Sequence, residues 1–155
     1  MAYNIIWKNP DETIKVTTLV SDATLEDVIN FKNILVGRGE TSIFQAIVQS
    51  DQLPQERYFR NAWRFDGNNI TLDIAACKQR HLEKLRRVRN SKLQDSDPDY
   101  MRAVEQGDQT KLDALKTYRQ ALRNMPQTSA TDFANAATPE AVRSLRPAIL
   151  DTLKP

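Results

Sequence analysis

The 155-residue chain carries 22 basic and 20 acidic side chains, a net charge of +2, one His, one Cys and 40% hydrophobic residues, which suits one domain or two small ones with a real core. The lone Cys77 excludes a disulfide scaffold and, with His81, leaves a zinc site of the usual kind short of ligands; apolar runs fall far short of the ~20 residues of a membrane helix, and no basic-then-apolar leader opens the chain, so a soluble protein is expected. One His, four glycines and the lack of Gly-x-Gly-x-x-Gly, phosphate-loop and Gly-x-Ser-x-Gly motifs argue against an enzyme and against a cofactor or metal.

Tyr3 to Trp7 and Thr13 to Val20 are rich in β-branched and aromatic residues, and Asn9-Pro10-Asp11-Glu12 between them is turn chemistry. A β-hairpin is expected, with Ile14, Val16 and Thr18 on one face and Lys15, Thr17 and Leu19 on the other. Ser21 or Thr24 can cap a helix running from about Thr24 to Leu35, whose apolar positions Leu25, Val28, Ile29, Phe31 and Leu35 are helically spaced and which Gly37-Arg38-Gly39 ends. Ser42 to Gln49 fits strand or helix by pattern; its β-branched content and the hairpin's need for a third strand favour a strand. Asp51 to Pro54 is loop. Glu56 to Arg64 is then expected to form one or two helical turns, with Phe59, Ala62 and Trp63 on one face and Arg57, Arg60 and Arg64 on another.

Asp66-Gly67-Asn68-Asn69 is a turn signal and the expected internal boundary. Asp73 can cap a long helix from Ile74 to about Leu93. Asp97-Pro98 opens a short helix toward Glu105 that Gly107 ends, and Asp108 caps a third through Leu112, Leu115, Tyr118 and Leu122, which Pro126 is expected to stop. The two long helices should pack antiparallel. Gln127 to Thr138 is small and polar with a single large hydrophobe, Phe133, and reads as an extended arm; Thr138-Pro139-Glu140 then restarts a short helix reaching Leu145 before Pro147. The expected fold class is α+β: a small N-terminal β-β-α-β unit in a domain over 1–66, a helical hairpin domain over 67–126, and an extended C-terminal arm with a short helix over 127–155.

Charge divides unevenly. Residues 1–73 hold 7 basic and 10 acidic side chains and residues 74–155 hold 15 and 10, so the halves carry −3 and +5. Seven cations (Lys78, Arg80, Lys84, Arg86, Arg87, Arg89, Lys92) stand between positions 78 and 92 against Glu83 alone, a cluster that could attract nucleic acid or an acidic protein surface. At about 100° per residue, Arg80, Lys84 and Arg87 lie opposite the apolar arc of Ile74, Cys77, Leu82, Leu85 and Val88, as ordinary exposed charges. Lys78, His81 and Arg89 fall in or beside that arc. Unpaired burial of a cation is costly, so Arg89 is expected to find a carboxylate, with Asp97, Asp99 and Asp113 as candidates, or a neighbouring subunit. His81 is expected to be a packed or hydrogen-bonded helix residue and Cys77 a small buried hydrophobe. The Arg57, Arg60, Arg64 stripe beside Phe59 and Trp63 has two readings: rings that plug a junction between the β-containing half and the helices, or an interface rich in Trp and Arg.

Leu53-Pro54, the run Glu56-Arg57-Tyr58-Phe59-Arg60-Asn61-Ala62-Trp63, the basic helix ending Arg86-Arg87-Val88-Arg89-Asn90, and Leu122-Arg123-Asn124-Met125-Pro126 together resemble a family of small tailed-bacteriophage proteins found among tail, baseplate and fibre genes. The most specific part is Arg-x-Phe-Arg-x-Ala-Trp, carried by Arg57, Phe59, Arg60, Ala62 and Trp63; Glu56 and Tyr58 depart from the Asp and Thr that the family often places there. The resemblance covers roughly Leu53 to Pro126 and implies a phage origin, with no catalytic residues to carry over.

The reading that follows is a non-enzymatic structural component of a tailed-phage particle, in the tail, baseplate, neck or fibre attachment region, located in the virion and touching other phage structural proteins and copies of itself. Its partner contacts are expected from Arg57, Arg60, Trp63, Arg64, Arg80, Lys84, Arg87, Arg89 and Phe133. A tail or fibre assembly chaperone absent from the mature virion is the alternative. A nucleic-acid-binding module using Arg80, Lys84, Arg86 and Arg87 stands third and requires binding that weakens steeply with salt.

Overall fold

The computed structural model describes residues 2–20 and 22–155, so Ser21, one of the two expected helix caps, lies outside the described residues. The chain is α+β and divides into two compact units, residues 1–76 and 77–155.

The first unit is built on three antiparallel strands, β1 (Tyr3–Lys8), β2 (Ile14–Thr18) and β3 (Ile43–Gln49), in the order β2-β1-β3. The expected hairpin and third strand are both present. Asn9 closes the turn by bonding the Thr13 carbonyl at 2.8 Å and the Thr13 hydroxyl at 2.9 Å. Register is pinned in the interior by Asn4, which is fully buried, donates to Ser50 Oγ at 2.9 Å and accepts from Thr18 Oγ1 at 2.7 Å. A polar side chain can sit there because both its ends are bonded.

Alternation gives the central strand two apolar faces. Ile5 and Trp7 meet Val28 of α1 (Leu25–Gly37), whereas Ile6 and Val48 meet Leu53 and Trp63 on the opposite side. A bulge between Ile6 and Trp7 resets the pairing of β1 with β3 so that Phe44 falls opposite Trp7, ring centroids 6.0 Å apart. Thr24 caps α1 through a capping box with Asp27, as expected of Thr24; the helix runs two residues past Leu35.

Between residues 56 and 73 the expected helical turns are only partly present and the expected boundary is displaced. Only Arg60–Ala62 is helical, a single 3₁₀ turn. Trp63–Phe65 is instead a strand, β4, paired antiparallel with β5 (Ile70–Leu72). The turn at Asp66 to Asn69 joins these strands and therefore lies inside the first unit: Asp66 Oδ1 accepts the amides of Asn68 and Asn69 at 2.9 and 2.8 Å, and Gly67 takes a φ of 105° that favours glycine.

The second unit is helical. It holds α2 (Ile74–Asp95) from Cys77 onward, α3 (Asp97–Gln106), α4 (Gln109–Thr128), α5 (Ala130–Asn135) and α6 (Pro139–Ser144). Asp73 Oδ1 accepts the Ala76 amide at 3.0 Å at the head of α2, Gly107 ends α3 in a left-handed conformation, and Asp108 and Thr138 cap α4 and α6. Arg119 bonds the Leu93 carbonyl, Phe133 lies 5.9 Å from the His81 ring, and Lys78 bonds the Ala134 carbonyl. Rising numbers on one side meet falling numbers on the other, so α4 and α5 return antiparallel to α2.

Pro126 does not stop α4, which continues two residues beyond it. A proline removes one amide and crowds the carbonyl four residues back; here it sits in the last turn, where the hydroxyls of Thr128 and Ser129 both donate to the Met125 carbonyl, at 3.1 and 2.7 Å. The expected extended arm is likewise corrected. Residues 127–138 are mostly helical, and Phe133 and Ala136 are buried. The chain then turns again: His81 Nε2 lies 2.7 Å from the Leu145 carbonyl, Lys92 donates to Thr152 O, and Lys154 bonds Asp95 O and pairs with Asp99. Residues 145–154 thus run along α2 in its own direction, and Val142 and Leu150 close the core with Leu115, Leu122 and Met125.

Candidate partner-binding surfaces

The motif residues of the first unit mostly hold their own fold. Trp63 is fully buried, packed with Ile6, Val48 and Leu53, and cannot meet a partner in this conformation. The rings are inside, as the structural reading expected, and Trp63 fills the sheet core of the first unit; the interface reading of Trp63 is corrected. Arg57 lies over the Trp63 ring at 5.2 Å, a cation–π contact. Arg60 donates to the Val16 carbonyl at 3.3 Å, and Arg64 pairs with Asp73 at 3.3 Å while bonding the Trp63 carbonyl. Arg57 and Arg60 remain exposed.

On α2, Arg80 and Arg87 are exposed and Lys84 half-buried, with Arg80 paired to Glu83 at 3.4 Å. His81 and Cys77 are buried as expected. Arg89 finds no carboxylate among the described residues; its Nε donates to Asn90 at 3.0 Å. The three candidate acids are engaged elsewhere: Asp97 with Arg119, Asp99 with Arg102 and Lys154, Asp113 with Lys116 and Gln109. Phe133 belongs to the core of the second unit, so it too is withdrawn from the list of partner contacts.

Arg119 is the cation that sequence spacing missed. Its side chain is 16% exposed and donates to Leu93 O, Ser96 Oγ and Asp97 at 3.2, 2.6 and 2.5 Å, beside the Tyr100 ring at 5.3 Å. This clamp, made through one guanidinium nitrogen, ties the corner between α2 and α3 to α4, and the flat cationic group lies beside the Tyr100 ring.

The second surface that was missed is an apolar groove of about 580 Å³ between α4 and the C-terminal residues. Ala114, Thr117 and Ala121 form its α4 wall, and Ile149, Leu153 and Pro155 the other. Leu153 is 87% exposed. Small side chains at 114, 117 and 121 recur at helical spacing, about 100° round the helix from the buried Leu115 and Leu122, and were the available signal. They let a helix or strand approach the α4 backbone closely, while Leu153 offers an anchor. Asp113 borders the groove, its carboxyl held below the ordinary range by the Gln109 amide and then by Lys116. Asp99 is held low chiefly by the Lys154 hydrogen bond, which ties down the far wall.

Among the described residues no three His, Cys, Asp or Glu side chains gather as metal ligands, and no helix is long and apolar enough to cross a membrane. No curated protein and no solved structure matches the chain. A family model described as phage tail assembly chaperone protein matches residues 82–141, which run from α2 through the start of α6. That similarity supports a phage tail-related role, and the similar stretch contains the α4 wall of the groove.

Proposed function

We propose that the chain is a non-catalytic phage tail assembly chaperone, which holds an apolar segment of a tail protein before assembly and leaves it as the particle forms. The observation that carries this reading is the similarity of residues 82–141 to that family. The groove beside Ala114, Thr117 and Ala121 supplies a means: it is apolar and open, one of its walls lies in the similar stretch, and the other, residues 149–155, is held by the hydrogen bond and ion pair of Lys154. An apolar client segment gains by leaving water, and a groove without deep pockets or buried charge pairs suits a contact that must later be given up.

The test is co-expression with each tail protein of the same phage in turn, followed by affinity capture of the full chain. One tail protein should be retained by the wild type and lost with Ala114→Glu, which sets a carboxylate in the groove on an exposed helical position. Retention undiminished by Ala114→Glu would place the client elsewhere, and retention of no tail protein would overturn the chaperone reading.

A further inference from the structure

The first unit exposes an apolar helix whose cover is absent from its own fold. Val28 of α1 is sealed against Ile5 and Trp7, yet Leu25, Ile29 and Val36 are 47%, 40% and 55% exposed. A helix with apolar residues on more than its core-facing side is ordinarily covered on those sides too. Leu25, Ile29, Lys32 and Val36 follow alternating steps of four, three and four, the spacing of a single coiled-coil seam. Val28 and Leu35 define a different, inward line.

Charge along α1 selects the occupant. Glu26 and Asp27 stand in its first turn, Lys32 lies mid-helix, and Arg38 is the C-cap that makes its far end basic. Two copies of α1 set antiparallel bring the acidic start of one beside the basic end of the other at both ends of the contact; a parallel pair sets like charges together. Antiparallel alignment also places Leu25 opposite Val36 of the partner copy and Ile29 opposite Lys32. The Lys32 ammonium already lies over the Phe44 ring, Nζ 5.0 Å from its centroid, so the seam need not bury an unsupported ammonium.

The neighbouring sheet edge competes poorly. On β3 the Gln45 amide donates to the carbonyls of Ile43 and Phe44, and the Gln52 side chain accepts the Gln49 amide at 2.8 Å. Those bonds blunt the edge against an added strand, leaving the helix as the available face.

We infer that the Leu25, Ile29, Val36 face of α1 binds the same face of a second copy of this chain, antiparallel about a twofold axis. This inference does not rest on the chaperone reading. Sedimentation equilibrium of the full chain tests it: the wild type should form a concentration-dependent dimer, and Ile29→Glu should weaken it by about tenfold or more with unchanged far-ultraviolet circular dichroism. Direction is tested by oxidising a mixture of Ile29→Cys and Lys32→Cys chains, in which buried Cys77 is kept from bridging. The mixed disulfide should exceed either like-with-like product. A wild type that stays monomeric, a dimer indifferent to Ile29→Glu, or a dominant Ile29→Cys homodimer would each overturn the proposal.

Discussion

The two units reach cohesion by different means. Residues 1–76 cover one small sheet on both faces, so a few large side chains, Trp7, Ile5, Ile6, Phe59 and Trp63, are fully or almost fully buried and local strand signals decide the layout. Residues 77–155 depend on chain reversal: α4 and α5 return along α2, the C-terminal segment returns again, and Arg119, His81, Lys92 and Lys154 bond carbonyls on the elements they meet. Charge follows the same division, −3 against +5, and the similarity to tail assembly chaperones lies wholly in the second unit. On the two proposals made above, the exposed apolar residues of the two units would serve different purposes: a groove walled by residues 149–155 would take and release a segment, whereas a heptad-spaced helix with opposed end charges would hold a fixed copy of itself.

The most severe way to break this comparison is to remove residues 127–155. If the second unit depends on chain return, losing Phe133, Ala136, Val142 and Leu150 should abolish its cooperative thermal transition, followed by helical circular dichroism. In the first unit one ring should matter comparably: Trp63→Ala is expected to cost about 3–5 kcal/mol by the cavity it leaves, measured by urea denaturation. Trp63→Phe should cost less, because Trp63 Nε1 is a buried donor with no acceptor among the described residues. The caps sharpen the contrast at smaller scale, since Thr24→Ala and Thr138→Ala each lose a side-chain bond to a helix amide and should cost about 1 kcal/mol.

The smallest effect concerns residues 149–154, which Lys154 holds. The folded carboxyl of Asp99 titrates below its unfolded value because Lys154 bonds its charged form; that stabilisation is therefore complete above the unfolded pKa of about 3.9 and is lost as pH falls through the lower folded value. Amide exchange of residues 149–153 should accelerate in that window, and Asp99→Asn should produce the same acceleration at neutral pH. The Lys15 and Glu40 pair, 2.5 Å apart, obeys the same sign in the first unit: Lys15 holds Glu40 down to about 2, so its carboxyl resonance should titrate near there and move up in Lys15→Ala.

Much of the fold is written locally. The hairpin of β1 and β2, the Thr24 cap, the Gly107 stop and the Thr138-Pro139 restart each depend on residues within a few positions of one another, and each is legible. The β4–β5 hairpin was not, because three-residue strands are too short to show alternation and Phe59, Ala62 and Trp63 happen to share a helical spacing. Residues 127–138 misled for the opposite reason: small polar residues carry little signal of their own, and what orders them is burial of Phe133 beside His81, distant in sequence. Of the expected contact residues, Arg57, Arg60, Arg80 and Arg87 are exposed, whereas Trp63 and Phe133 are core. The groove needed the C-terminal segment in place before Ala114, Thr117 and Ala121 had an opposite wall.

The most direct test of the chaperone account is quantitative mass spectrometry of gradient-purified phage particles beside the infected-cell lysate. The account predicts the chain in the lysate, co-sedimenting with an unassembled tail protein, and its absence from the particles. A fixed copy number per particle would contradict it and return the chain to the structural components of the virion.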